Sequence, residues 1–453
     1  MSNRASVGWD AHRLLLLLVA LALAVLAPRM ARADDEEALI PPDSSYFARR
    51  VLKTAPILSL SHKITTTIQG ITFDSNYDNG SLAGVASAGT NIFNCTIYVE
   101  PGELGNRQYQ FRFRMTGVAG RSVTLNIDHT QNRRPVISIN GGPFRRTTAA
   151  EAPTLTQLVF TFGASENTAE VAFFFPLGYQ EIHDRVSALV AAGTGGTTEI
   201  LGKSFQNRDL WLVTVTDPAT TDTGKRRVWV HARAHAGEVT ASHTMLGILE
   251  KALENSETGR RLRRYCIFNV VPTQNVDGVF LGLTRWDSQG IDPERQWPNP
   301  YRIPEVGLIK DKVDAFMAGP NPIEVALNLH STVGDYADTF FFKHIRPSVT
   351  ANFEVIQQRY IDALNNATPL FENLAPQTSQ LSPNLFIESY FWNNWGEAVM
   401  AMTHEGHYYE RVNSTAYLTD ADYVALGRAM AEAMIEYFAL PPLPSAVGEW
   451  AQY

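Results

Sequence analysis

The feature that most constrains this chain is a change of hydrophobic period at Phe173-Phe174-Phe175-Pro176. Before it, apolar residues recur at every second position. Tyr109, Phe111, Phe113 and Met115 alternate with Gln110, Arg112 and Arg114, and Val123, Leu125 and Ile127 alternate with Thr124 and Asn126. Leu158, Phe160 and Phe162 repeat the pattern. Period two is the mark of half-buried strands, and Gly, Asn and Pro turns such as Asn140-Gly141-Gly142 separate them. Residues 57–175 are therefore expected to form an antiparallel β-sandwich with one polar face per sheet.

After the change, strands and helices alternate. Tyr179, Ile182, Val186 and Leu189 are spaced three and four apart, which predicts a helix over 179–191, ended by the glycines at 193, 195 and 196. Buried strands are predicted at 210–216, 227–232, 266–271, 325–330 and 398–403, and helices at 240–253, 350–365 and 420–437. Alternation of this kind implies an α/β architecture: a mixed, mostly parallel sheet flanked by helices, over residues 176–440.

The ends lie outside both regions. Arg4 and Arg13 precede an apolar run at 14–26, and Ala31-Arg32-Ala33 offers small residues around a cleavage point. Residues 1–33 are read as a secretory signal peptide, because the run is shorter than the roughly 20 residues that span a bilayer. An uncleaved anchor is the alternative. The reading places the mature protein outside the cytoplasm, secreted or periplasmic, with no stable membrane association. Residues 34–56 form a polar leader, and the Pro-rich 441–453 a tail.

The full chain of 453 residues has a formal net charge of −8. Removing 1–33 takes away four Arg and one Asp, leaving 34 basic and 45 acidic residues and a net of −11. With no basic patch, nucleic acid is excluded as an expected partner. Cys95 and Cys266, with no CxxC spacing, cannot make a thiolate metal site and are read as buried thiols. No G-x-S-x-G elbow is present, and the glycines at 193–196 lack the Lys-Ser/Thr of a phosphate loop.

Chemistry gathers at three predicted strand ends. His235 and Glu238 stand three apart where a strand turns into a helix. His330 closes a second strand and Glu405 a third. In open α/β sheets functional groups collect at the carboxyl ends of strands, so the four residues are expected to meet. Three ligands of this type with an open position suit a catalytic zinc, and a further carboxylate suits a proton acceptor. His231, His243, His404 and His407 are read as satisfied core histidines.

The ordered segments ARAHAGEVTAS (232–242), VPTQNVDGVFLGLTRWDSQGIDPERQW (271–297), LNLHS (327–331) and MTHEGHYY (402–409) resemble the M14 (funnelin) zinc carboxypeptidases, most of all the cytosolic-carboxypeptidase-like branch. The stretch FFFPLGYQEIHDRV (173–186) looks like that branch's junction between its β-domain and catalytic domain. The resemblance implies one zinc on His235, Glu238 and His330, with Glu405 as general base and then acid. It implies Asp292 as the carboxylate orienting the first ligand histidine, Arg285 as oxyanion stabiliser and Arg295 as the grip on a substrate's terminal carboxylate. Its partners would be peptide or protein C-terminal tails.

One position departs from the family pattern. Glu294 stands where the family usually has Asn beside Arg295. An ionised Glu repels a substrate carboxylate, so it either turns aside to pair with an Arg or marks a substrate end that is not a plain carboxylate. Tyr390 is the nearest match to the family's substrate-capping tyrosine. The alternatives are a zinc amidohydrolase of the same fold, acting on cell-wall peptides or non-peptide acyl groups, and a pseudo-enzyme that binds through its β-sandwich.

Overall fold

The computed structural model describes residues 62–100, 109–127, 134–298, 302–334, 339–370, 378–379, 385–410 and 414–444. The signal-peptide, leader and most of the tail expectations lie outside the described residues. The described residues all fall within one compact unit.

The period-two region builds two layers. A six-stranded antiparallel sheet runs in the order β1 (Thr65–Ile68), β2 (Ile71–Asp74), β5 (Arg112–Thr116), β10 (Thr168–Ala172), β7 (Val136–Ile139) and β8 (Arg145–Arg146). Four strands, β3 (Gly84–Gly89), β4 (Ile92–Thr96), β6 (Ser122–Ile127) and β9 (Gln157–Thr161), form the second layer. Its β4–β6 pair is parallel, a departure from the all-antiparallel expectation. The alternating residues face inward: Phe111, Phe113, Met115, Val123, Leu125 and Phe160 are buried. Phe73 of one layer and Phe93 of the other meet with ring centroids 4.9 Å apart.

Arg112 breaks the alternation rule. It is expected on a polar face, yet it is buried and held by Glu170 at 2.6 Å and Glu181 at 2.8 Å. Glu181 lies in the first turn of α1 (Tyr179–Ala192), where Asp78 also accepts from the backbone of Tyr179 and Gln180. The carboxylates satisfy exposed N–H groups at the helix start, so the helix is docked onto the β-layers through its N-terminus.

The second half is an α/β sheet in the order β11-β12-β14-β13-β15-β19-β16. Its strands are β11 (Gly196–Lys203), β12 (Asp209–Val215), β13 (Arg226–Ala232), β14 (Cys266–Val271), β15 (Ile323–Thr332), β16 (Phe340–Phe341) and β19 (Met400–His407). The four strands β14, β13, β15 and β19 are mutually parallel; the outer strands pair antiparallel. Burial explains the split. Every residue of β14 is buried, as a strand covered on both faces must be, whereas most of β11 is exposed at the edge. A two-residue pair, β17 (Lys343–His344) and β18 (Thr378–Ser379), lies apart from this sheet.

Helices α2 (Val239–Leu253), α3 (Glu257–Tyr265), α4 (Val276–Leu281), α5 (Pro304–Met317), α6 (Ala351–Ala367), α7 (Ile387–Trp395) and α8 (Asp420–Tyr437) complete the unit. Helix α2 matters most for the site, because Glu238 is its N-cap. It packs backbone to backbone on α8: a Cβ on Gly247 would strike the carbonyl of Val424, and one on Gly427 the carbonyl of Thr244. Only glycine permits so close an approach, which fixes the height at which α2 presents Glu238. One apolar cluster runs from Phe73 and Phe93 through Phe174 to Val230 and Met430, so the β-layers and the α/β sheet share a core. Cys95 and Cys266 are both buried and form no disulfide.

Candidate metal centre

The strand β13 stops at Ala232 because Arg233 adopts φ +61°, a left-handed conformation that costs a non-glycine residue energy. The guanidinium offsets the strain. It is buried and donates to the carbonyls of Ala236 and Leu177 and to Ser242 Oγ. The turn it holds carries His235.

Three strand ends then converge as expected. His235 Nδ1 lies 2.6 Å from Glu238 Oε1, His330 Nδ1 lies 2.8 Å from Glu238 Oε2, and the two Nδ1 atoms are 3.2 Å apart. The backbone N–H of Ser331 donates to Glu238 Oε2 at 3.0 Å. One donor atom from each of His235, Glu238 and His330 falls within 4.8 Å of the others. Behind His235, Nε2 faces Asp292 Oδ1 at 3.2 Å, and the other oxygen of Asp292 accepts from Arg285 Nε at 2.9 Å.

The electrostatics favour a cation at the centre. Burial alone would raise Glu238, but His235 and His330 hold it far below the ordinary carboxylate range. Burial opposes charge on His330, yet Glu238 and Glu294 hold it well above the usual imidazole value. Asp292, against its burial, is held down by Arg285 and His235. The donor set of two imidazoles and a carboxylate, with a carboxylate behind one imidazole, suits zinc.

Glu405 sits beside this cluster. In the parallel pairing of β15 and β19 its Cα partner is His330. The strand placement inferred from sequence thus brings the fourth residue to the same edge.

Residues 194–368 match the family described as zinc carboxypeptidase, peptidase M14. The matched stretch includes His235, Glu238, Asp292 and His330. Over these residues this chain is similar to the M14 family. Its relatives include cytosolic carboxypeptidase 6 of Mus musculus, 23% identical over 58% of this chain and 53% of that protein. An uncharacterised protein of Zymomonas mobilis is 29% identical over 50% of this chain and 60% of its own length. The matched region thus spans little more than half of these curated relatives. The fold agrees with a metallo-carboxypeptidase structure from Burkholderia cenocepacia, with a TM-score of 0.68, 21% identity, and coverage of 82% of this chain and 99% of that one.

The other M14-type positions are placed as follows. Arg285 is bound to Asp292 through Nε and a terminal nitrogen, both 2.9 Å from Oδ2. Arg295 closes the 3-10 turn Pro293–Arg295, and its guanidinium lies 4.2 Å over the Phe386 ring. Glu294 is buried; Asn328 Nδ2 donates to its Oε1 at 3.0 Å, and its Oε2 faces His330 Nε2 at 3.4 Å. It has turned aside towards Asn328 and His330, where the expected partner was an arginine. Tyr390 is directed elsewhere. Its hydroxyl donates to Asp314 Oδ1 on α5, and its ring packs on Trp297 and Trp395. The structure gives it no contact with the metal cluster.

Two residues escaped the sequence reading altogether. Asn328, on the same strand as His330, also donates to Glu388 Oε1 of α7 at 3.1 Å. Burial and the nearby Glu294 push the Glu388 carboxyl up to about 7. Glu100, at the end of the β-layers, accepts from the backbone of Thr284, Arg285 and Trp286. Asn328 two residues before a ligand was a legible signal; Glu100 had none. The expected core histidines are buried and held below the usual imidazole value by burial, His231, His243 and His407 at about 4 and His404 at about 3, but His404 is not satisfied: neither of its ring nitrogens has a hydrogen-bond partner among the described residues.

Proposed function

We propose that this chain is a zinc-dependent metallocarboxypeptidase that hydrolyses C-terminal peptide bonds. The observation that carries the reading is the meeting of His235, Glu238 and His330 within 4.8 Å, with Glu405 opposite His330 on the neighbouring strand. A zinc ion held by the three ligands supplies Lewis acidity, which acidifies a water and polarises a carbonyl. The protein's own groups do the rest. Glu405 takes the proton from the attacking water and returns it to the departing nitrogen. Arg285, its plane fixed by Asp292, brings positive charge to the developing oxyanion, a contribution of about 3–4 kcal/mol for a well-placed donor. Arg295 binds the terminal carboxylate of the substrate with its planar fork.

The β-layers would act as a domain that restricts the entrance, favouring exposed tails of proteins over folded surfaces. Export rests on residues 1–33 alone. Among the described residues no helix is long and apolar enough to cross a membrane.

The test pairs metal analysis with peptide hydrolysis. Purified protein should hold one zinc per chain and release the last residue from peptides with a free C-terminus but not from amidated controls. Protein that takes up no zinc on titration, or that cleaves amidated and free peptides alike, would overturn the reading.

A further inference from the structure

We infer that Glu294 is a positioning residue of the metal centre, a carboxylate that holds His330 from behind. The inference rests on the metal-dependent reading above and assigns this residue a task within it.

The two ligand histidines are arranged alike. Their Nδ1 atoms face each other across 3.2 Å, and their Nε2 atoms point away towards Asp292 Oδ1 at 3.2 Å and Glu294 Oε2 at 3.4 Å. Both carboxylates come from one turn. Asp292 caps the short 3-10 helix and its Oδ1 accepts from Glu294 N at 3.0 Å. Placing Asp292 behind His235 therefore also aims the Glu294 side chain.

The far side of the carboxylate is anchored to the strand it serves. Asn328 Nδ2 donates to Glu294 Oε1 at 3.0 Å, and Asn328 precedes His330 by two positions, on the same face of β15. That leaves Glu294 Oε2 and His330 Nε2. Both are buried, and neither forms a hydrogen bond, with the other or with any other atom of the described residues. At 3.4 Å the separation is a few tenths of an ångström beyond a usual N–H···O bond. A buried donor and a buried acceptor this close, with no rival partner, make a natural pair once the ring is held by a metal.

A carboxylate behind a ligand histidine fixes its tautomer and ring plane and makes its metal-side nitrogen more basic. A neutral Asn here could accept the same N–H but would bring no charge. Glu294 is thus not a failed substrate contact. Its carboxylate is directed at Asn328 and His330, and the task of meeting a substrate's terminal carboxylate falls to Arg295.

The experiment is a chelator-competition measurement of zinc affinity on wild type and Glu294→Gln, with the absorption spectrum of the cobalt-loaded proteins as a second readout. The variant should bind zinc about 10–100-fold more weakly and show a changed cobalt spectrum. KM for a free-C-terminal peptide, measured at saturating zinc, should be little changed. If the variant binds zinc as tightly as wild type while KM shifts, Glu294 contacts substrate and the inference falls. Wild type that takes up no zinc would instead overturn the metal reading itself. Thermal unfolding of the metal-free proteins checks the fold, and if Glu294→Gln is misfolded, Glu294→Asn carries the same expectation.

Discussion

Glu405 and His330 are direct partners in the parallel pairing of β19 with β15. Adjacent strands lie about 4.8 Å apart and register partners share a face, so Glu405 reaches the space in front of the ligand histidine without being a ligand. Its charge should therefore matter to proton transfer and not to metal binding. Glu405→Gln is expected to lower turnover by about 100–10,000-fold while zinc content per chain stays the same. Normal turnover in that variant would move the proton acceptor elsewhere.

His330→Ala should lose both zinc and activity yet keep its circular dichroism spectrum. Val325, Leu327 and Leu329 bury the strand regardless of the ligand at its end. Retained stoichiometric zinc would show that the cluster is not the metal site.

Arg233 gives a different kind of prediction, because it touches no ligand. Its guanidinium binds the carbonyls of Ala236 and Leu177 and holds the turn that carries His235. Lysine keeps the charge but loses the fork. Arg233→Lys should cost at least about 2 kcal/mol in urea unfolding, since it strands buried acceptors. Zinc affinity should fall as well. Wild-type affinity would mean that the turn holds its shape unaided.

The meeting of His235, Glu238 and His330, with Glu405 on the neighbouring strand, was legible because the strands that lead to them have apolar runs plain in the sequence. The runs at 266–271 and 420–437 coincide with β14 and α8 because burial is continuous in the first and a capping box at Thr419 and Asp422 marks the start of the second. Helix α3 was not legible. It buries only Gly259, Leu262 and Arg263, so it carries no apolar stripe. Helix α5 begins at Pro304 and had no counterpart among the predicted helices, although proline is favoured in a first turn. Edge strand β11 is mostly exposed and shows no alternation. Within the site, the orientation of Glu294 depended on Asn328, a residue 34 positions away that only the fold brings near.

Glu305, in the first turn of α5, supplies a pH signature of folding. Burial, then Asp277, pushes its carboxyl up to about 8, against about 4.3 in an unfolded chain. Below the unfolded value both states hold the proton and its contribution to stability is complete. As pH rises towards 8 the unfolded chain releases the proton and the folded protein does not, so stability is lost. At about 1.4 kcal/mol per unit the loss amounts to several kcal/mol. Urea unfolding at about pH 5 and about pH 8 should show a smaller drop for Glu305→Gln than for wild type. Equal drops would mean that Glu305 ionises freely in the folded protein.

The last prediction concerns Glu100, which binds the backbone of residues 284–286. Its Oε2 accepts from Arg285 N at 3.1 Å and Trp286 N at 2.8 Å, and its Oε1 accepts from Thr284 N. Three successive backbone donors thus converge on one buried carboxylate, and the middle one belongs to the residue proposed to meet the oxyanion. A carboxylate has two acceptor oxygens, whereas glutamine replaces one with an N–H₂ that faces donors. Glu100→Gln should leave at least one buried N–H without a partner, costing about 1–3 kcal/mol of stability. The zinc ligands are untouched, so zinc affinity should stay within about twofold by the standing context-dependence of such effects. Turnover should fall, because the Arg285 backbone loses the anchor that sets its guanidinium against Asp292. Chelator competition, urea unfolding and peptide hydrolysis on the one variant separate these effects. A loss of zinc affinity equal to the loss of turnover would mean that Glu100 supports the ligand cluster as a whole, and unchanged turnover would mean that Asp292 alone positions Arg285.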